Sequence, residues 1–186
     1  QRQMCIRDRF WVSYPDMVLL SGGKPKIVKC DEKDGFKITP AKLKAAITKR
    51  TKWIILNSPS NPTGSGYSKS EIQKLAKVLI KNKKVHILSD DIYEHVKYDN
   101  FKFFTIAQIS KLKSRTLTMN GVSKSYAMTG WRIGYAAGPK EIISAIRKIQ
   151  SQSTSNPSSI SQAAAVEALN GKQDFIPVRA IAFQER

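Results

Sequence analysis

Acidic residues are scarce in this 186-residue sequence, with 14 Asp and Glu against 32 Lys and Arg and a formal net charge of +18. So basic a chain raises nucleic acid or an anionic surface as a partner. The lysines, however, alternate with apolar positions along predicted helices (Lys42, Lys44 and Lys49; Lys69, Lys74 and Lys77), the pattern of solvated helix faces. Aromatic residues are not interleaved with them as in stacking platforms for single strands, so no specific nucleic acid partner is expected. Histidine is nearly absent. His86 and His95 have no third ligand at metal spacing, and no metal is expected. The two cysteines, Cys5 and Cys30, make neither a metal-ligand spacing nor a disulfide framework, which suits a reducing, cytoplasmic setting and buried or idle thiols. Long apolar runs are missing too. A stretch such as Trp53-Ile54-Ile55-Leu56 is strand-sized, far short of the roughly 20 residues of a membrane-spanning helix. The polar opening Gln1 to Arg9 lacks the apolar centre of a secretory signal. A soluble protein without a membrane partner is the expectation.

Hydrophobic residues make up 41% of the chain, enough to close one sizeable core. Residues 1–9 show no periodicity and resemble the translation of a cloning adapter, so they are set apart from the fold, with a short native arm as the alternative reading. From Phe10 onward, strand-like and helix-like segments alternate. Thr39-Pro40 reads as an N-cap with proline at the first helical position. Ser68-Lys-Ser-Glu71 is a capping box opening a helix with Ile72, Leu75, Ala76 and Leu79 on one side. Strands are predicted over 53–57, 85–89, 116–120 and 133–137, with helical spacing over 141–149. This order argues an α/β domain with a largely parallel sheet, in which ligand-binding groups gather after the carboxyl ends of strands. The stretch 157–186 is helical in composition, breaks near Asn170-Gly171 and stops without a capping signal, from which a truncated chain is expected.

Three predicted strand ends present reactive groups: Asn57 with Asn61, Asp90 with Tyr93, and Ser123 with Lys124. Singly, such residues are usually surface groups or helix caps. Together they fit one chemistry. A lysine amine attacks an aldehyde only when unprotonated, which a neighbouring cation such as Arg132 favours. A pyridine cofactor withdraws electrons while its ring nitrogen stays protonated, which needs a fixed carboxylate, and Asp90 is the candidate. Tyr93 and Asn61 can donate hydrogen bonds to a phenolate oxygen. A phosphate calls for a guanidinium together with hydroxyl or backbone donors.

Gly121-Val-Ser-Lys124-Ser-Tyr-Ala-Met-Thr-Gly-Trp-Arg132-Ile-Gly134 resembles the cofactor-lysine signature of class I aminotransferases of fold type I. Asn57-Ser-Pro-Ser-Asn61-Pro-Thr-Gly64 and Ser89-Asp90-Asp-Ile-Tyr93-Glu resemble two further motifs of that family, in its order and at its spacing. Phe10-Trp11-Val-Ser-Tyr-Pro-Asp resembles the stretch that places a substrate-contacting tryptophan. The likeness spans Phe10 to at least Asn170 and is greatest to the bacterial aspartate aminotransferase branch. It implies that Lys124 forms a Schiff base with pyridoxal 5'-phosphate and later moves the substrate Cα proton. Asp90 would pair with the ring nitrogen, Tyr93 and Asn61 with the phenolate oxygen, and Arg132 with the phosphate, aided by Ser123. Trp11 and Asn61 would face the substrate, and Asn61-Pro62 is the candidate cis bond.

The implied reaction is amino-group transfer from aspartate or a related amino acid to a 2-oxo acid, in an enzyme that is a homodimer when complete. The implied domains are a partial cofactor-binding large domain over 10–154, in a mixed, mostly parallel sheet flanked by helices, and over 155–186 the start of a connection to a small C-terminal domain. Groups from both ends of longer family members would be lacking, so the chain alone is expected to be inactive or nearly so. One departure stands at Gly121, where related enzymes can carry a phosphate-binding serine. Two rivals remain: a lyase or synthase using the same cofactor residues, and a basic, nonenzymatic nucleic-acid-binding module. Gly64-Ser-Gly66 reads as a turn, and Met128 and Trp131 as core.

Overall fold

The computed structural model describes residues 2–186. Its centre is one sheet built from β1 (Gln3–Arg7), β2 (Lys24–Val28), β3 (Thr51–Asn57), β4 (His86–Asp90), β5 (Thr116–Gly121) and β6 (Gly134–Ala137). The spatial order is β2-β1-β3-β4-β5-β6. Every neighbouring pair is parallel except β5 and β6, which run antiparallel. The helices are α1 (Ser13–Leu20), α2 (Pro40–Ala46), α3 (Lys69–Lys81), α4 (Ser110–Lys113), α5 (Lys140–Ser153), α6 (Ser159–Asn170) and α7 (Phe175–Glu185). This is the expected α/β architecture with a mixed, mostly parallel sheet. No described helix is long and apolar enough to cross a membrane.

Strand alternation divides the core between the two sheet faces. Cys5, Ile54, Leu56 and Ile87 share one cluster with Leu43 of α2, with Ile72, Leu75 and Leu79 of α3, and with Leu112 of α4. Ile6 and Ile55 point the other way and meet Tyr14 and Val18 of α1. Each fully buried leucine stabilises the fold by roughly 1.5–3 kcal/mol. The helix starts follow their capping residues. The Thr39 hydroxyl accepts the Lys42 N–H at 3.3 Å, with Pro40 at the first helical position of α2. At α3 the Ser68 hydroxyl accepts the Glu71 N–H, while the Glu71 carboxylate accepts the Ser68 N–H at 2.7 Å. The far end of α3 is closed by Arg115, a buried guanidinium donating to the carbonyls of Leu79 and Asn82, at 2.6 and 3.1 Å, and to that of Val85. Carbonyls otherwise orphaned at a helix end thus find donors.

The structure corrects the treatment of residues 1–9 as lying outside the fold. Residues Gln3–Arg7 form β1, inside the sheet between β2 and β3, with Cys5 and Ile6 buried on opposite faces. The pattern hides this because the strand ends on a buried charge. Arg7 donates to the Phe36 carbonyl at 2.6 Å and to the Ser60 hydroxyl, and so is satisfied in the interior. Both cysteines are buried and free. Helices α5, α6 and α7 follow the expected composition and break near Asn170. Among their residues only Ser161, Ala165 and Ile176 are buried.

Candidate active site

Because β3, β4 and β5 run parallel, their carboxyl ends meet at one edge, and the register aligns Asn57 with Asp90 and Asp90 with Met119. The chain leaves the sheet there through three loops. Asn57 fastens the first two: its amide donates to the Asp90 carbonyl at 3.0 Å, and its side-chain oxygen accepts the Asn61 N–H at 3.0 Å. The Asn61-Pro62 bond is cis, as the motif implies, and so is Ser58-Pro59, which the sequence reading did not single out.

A cavity of about 260 Å³ opens at this edge. Every residue singled out from the sequence lines it: Trp11, Asn61, Asp90, Tyr93, Ser123, Lys124 and Arg132. The Lys124 ammonium lies 5.9 Å from the centre of the Tyr93 ring, and the Asn61 amide approaches the Tyr93 hydroxyl at 3.4 Å. Lys124 itself is exposed. Arg132 has left-handed backbone geometry, with φ of 55°, and donates to the Thr129 carbonyl at 3.1 Å. Thr129 in turn donates to the Ser123 carbonyl at 3.1 Å, linking the lysine and arginine ends of this loop. A larger hollow of about 580 Å³ adjoins the cavity through Asn61 and Tyr93. Another, of about 540 Å³, lies beside α1 and holds neither Asp90 nor Lys124.

The electrostatic centre is Asp90, buried at the end of β4. One carboxylate oxygen accepts the Ile92 N–H at 3.2 Å, and the other accepts the Tyr14 hydroxyl. Burial pushes its pKa up, while these two donors hold it down. The Tyr14 phenol is held far above its ordinary range, by burial first and then by the charge of Asp90, so it remains a donor. Sequence reading missed Tyr14, whose partner is 76 residues away. A signal was present: Tyr14 lies three positions after Trp11 in the same motif, and the rings meet edge-on at 5.6 Å. Asn120 and Thr129 also line the cavity and were not singled out.

Asp91 turns away from the cavity, as alternation requires, and accepts the Ser89 hydroxyl at 2.7 Å. Burial raises its pKa to about 6. At Gly121, a Cβ would stand 2.9 Å from the Ile133 carbonyl and 3.1 Å from the Ile92 side chain. The close pass of β6 thus explains why no serine is accommodated at this position. Met128 packs with Val122 and Ile133 as core, whereas Trp131 stands 43% exposed, so the core reading fails there. His86 lies against Trp53 with ring centres 5.0 Å apart, and the described residues contain no cluster able to hold a metal.

The profile of the family described as aminotransferase class I and II matches residues 1–186. The chain belongs to this aminotransferase family. Among curated relatives, an aspartate/prephenate aminotransferase of Cereibacter sphaeroides is 60% identical over 99% of this chain and 46% of its own length. A probable aspartate/prephenate aminotransferase of Rickettsia typhi is 59% identical over 95% of this chain and 45% of its own. The crystal structure of the Rhizobium meliloti aspartate aminotransferase superposes with a TM-score of 0.97 at 55% identity, covering 99% of this chain and 46% of that one. The chain therefore spans about half the length of the aminotransferases it matches. Family membership and the convergence of Lys124, Asp90, Tyr93 and Asn61 on one cavity remove the ground for a nonenzymatic nucleic-acid module.

Proposed function

We propose that this chain is the cofactor-binding portion of a pyridoxal 5'-phosphate-dependent aminotransferase that acts on aspartate. The observation that carries the reading is the donor set of the 260 Å³ cavity, where a buried carboxylate, a lysine amine, a phenol with a carboxamide, and a guanidinium face one space. That set fits the cofactor group by group. Asp90, held by the Tyr14 hydroxyl and the Ile92 N–H, would accept from a ring N–H. Tyr93 and Asn61 donate to a phenolate oxygen, and Arg132 with the Ser123 hydroxyl binds a phosphate. Lys124 carries the covalent attachment. When bound, the cofactor supplies an aldehyde for that amine and a protonated ring that withdraws electrons from the substrate's Cα. The Lys124 amine would take the substrate's Cα proton, and Trp11 would line the substrate side. The names of the relatives support aspartate as amino donor, with prephenate, itself a 2-oxo acid, as an acceptor.

The complete enzyme is proposed to be a homodimer, and the two buried free thiols agree with a cytoplasmic setting. The test is incubation of the complete reading frame with pyridoxal phosphate, borohydride reduction, and peptide mass mapping. A single adduct at Lys124 is expected. Adducts scattered over exposed lysines, or none, would overturn the proposal. A lyase or synthase using the same attachment would give the adduct without transfer from aspartate to a 2-oxo acid.

A further inference from the structure

Tyr93 and Lys124 must keep a fixed separation if both are to act on one bound group, yet they sit on different loops. Tyr93 rides on a tight turn after β4, closed by the Glu94 N–H on the Asp91 carbonyl and by the Val96 N–H on the Tyr93 carbonyl, each at 2.9 Å. Lys124 follows β5. The ladder between these strands ends at Asp90 and Met119, with one last backbone bond from the Asp91 N–H to the Met119 carbonyl at 2.9 Å. Beyond that point no backbone pairing joins the Tyr93 turn to β5, which continues to Gly121 against β6 alone.

One side-chain contact continues the ladder. The Asn120 amide donates to the Glu94 carboxylate at 2.6 Å, across 26 positions of sequence. The other end of the Asn120 amide accepts the Gly121 N–H at 2.8 Å, so the side chain is fixed at both ends. Asn120 is also held from β6, where it pairs with Tyr135. Among the described residues no other side-chain hydrogen bond joins the Tyr93 turn to β5. The His95 imidazole lies 3.5 Å from Glu94, and the phenols of Tyr126 and Tyr135 are raised by burial first and then by the Glu94 charge. Asn120 lines the cavity, whereas Glu94 does not.

We infer that the Glu94 carboxylate and the Asn120 amide form a clasp that sets the position of Tyr93 relative to Lys124. Both are positioning residues, reaching the reaction only through the two loops they join. This rests on the proposed cofactor chemistry, because the distance matters only if Tyr93 and Lys124 serve the same bound group.

The experiment uses the complete enzyme loaded with pyridoxal phosphate, comparing wild type with E94A, N120A, N120D, E94Q and the double variant E94A/N120A. The readouts are kcat, the pH midpoint of the cofactor's visible absorption, and thermal stability. Removing a hydrogen bond to a charged acceptor is expected to lower kcat about ten- to hundred-fold and to displace the spectroscopic midpoint in E94A and N120A. The double variant is expected to be no worse than either single one, the signature of a shared contact. E94Q keeps an acceptor oxygen and should recover most of the loss. N120D is nearly isosteric and turns the donor into a carboxylate facing that of Glu94, so it breaks the contact even if the alanine variants do not fold. Unchanged midpoints and kcat in N120D and E94A, or losses that add in the double variant, would overturn the clasp. A lower melting temperature with an unmoved midpoint would reduce it to a structural contact. If wild type itself takes no adduct at Lys124, the proposed function fails first and separately.

Discussion

Replacing Tyr14 with phenylalanine removes one oxygen from the interior and leaves the ring where it is. The ring is 2% exposed and packs edge-on against Trp11, so the core of α1 should survive. What changes is Asp90, which loses one of its two donors while burial continues to push its pKa upward. A hydrogen bond to a charged group contributes about 1.5–3 kcal/mol. Its loss falls on the ionised carboxylate alone, so the variant's Asp90 takes up its proton at a higher pH than wild type does. A protonated carboxyl no longer accepts from a ring N–H. Cofactor binding by Y14F should therefore weaken by up to about ten- to hundred-fold at the acid end of the pH range and converge on wild type as pH rises. Equilibrium dialysis of pyridoxal phosphate against both proteins across pH 5 to 8.5, with far-ultraviolet circular dichroism as the folding control, measures this. A well-folded Y14F whose acid limb coincides with that of wild type would show that the phenol does not govern the charge of Asp90.

Asp91 gives a stability prediction of definite sign. Its folded pKa of about 6 lies above the unfolded value, so the native state holds the extra proton between about pH 4 and 6 and loses stability as pH rises through that window. The span corresponds to about 3 kcal/mol. D91N should accordingly melt higher than wild type at pH 7.5 and show no advantage near pH 4. R115M leaves the carbonyls of Leu79, Asn82 and Val85 without their donor and should cost about 3 kcal/mol or more in a urea titration. L79A, at a fully buried position of α3, should cost about 2–5 kcal/mol, whereas K81A on the exposed side stays within about 0.5 kcal/mol. G121S forces its new Cβ against the Ile133 carbonyl and should destabilise by about 1–3 kcal/mol, read from the same titration.

The parts of the fold that sequence made legible are those in which local chemistry and long-range packing agree. Ser68 and Glu71 announce α3, and the apolar positions that follow are the ones that face the sheet. The adjacency of Asp90 and Asp91 sufficed to say that only one could face the cavity. Where local and distant demands conflict, the reading failed. β1 ends on a buried arginine whose partners lie 29 and 53 positions away. In α1, Pro15 sits in the first turn, and Leu19 and Leu20 remain 57% and 89% exposed, so no clean apolar stripe marks it. β2 is an edge strand that carries Pro25, which discourages a strand assignment even though an edge tolerates it. Along the candidate cavity, the residues carried by recognisable motifs were singled out in advance, whereas Tyr14 and Asn120, which hydrogen-bond to Asp90 and Glu94, were not. Such pairings exist only in the folded chain.

The lone antiparallel pair at the end of the sheet has a further consequence. After a parallel strand the chain must cross to the far edge of the sheet before the next strand begins, but β5 and β6 close with Gly121 opposite Gly134, so residues 122–133 leave and return through one mouth. Lys124 stands near one lip and Arg132 near the other. The separation of the loop's two ends is therefore set by strand pairing, to which the bonds through Thr129 inside the loop are added. Substitutions within the loop can reshape its interior while both anchors stay in place. Loss or gain of one residue in either strand would slide one anchor past the other and turn the neighbouring side chains to the opposite face.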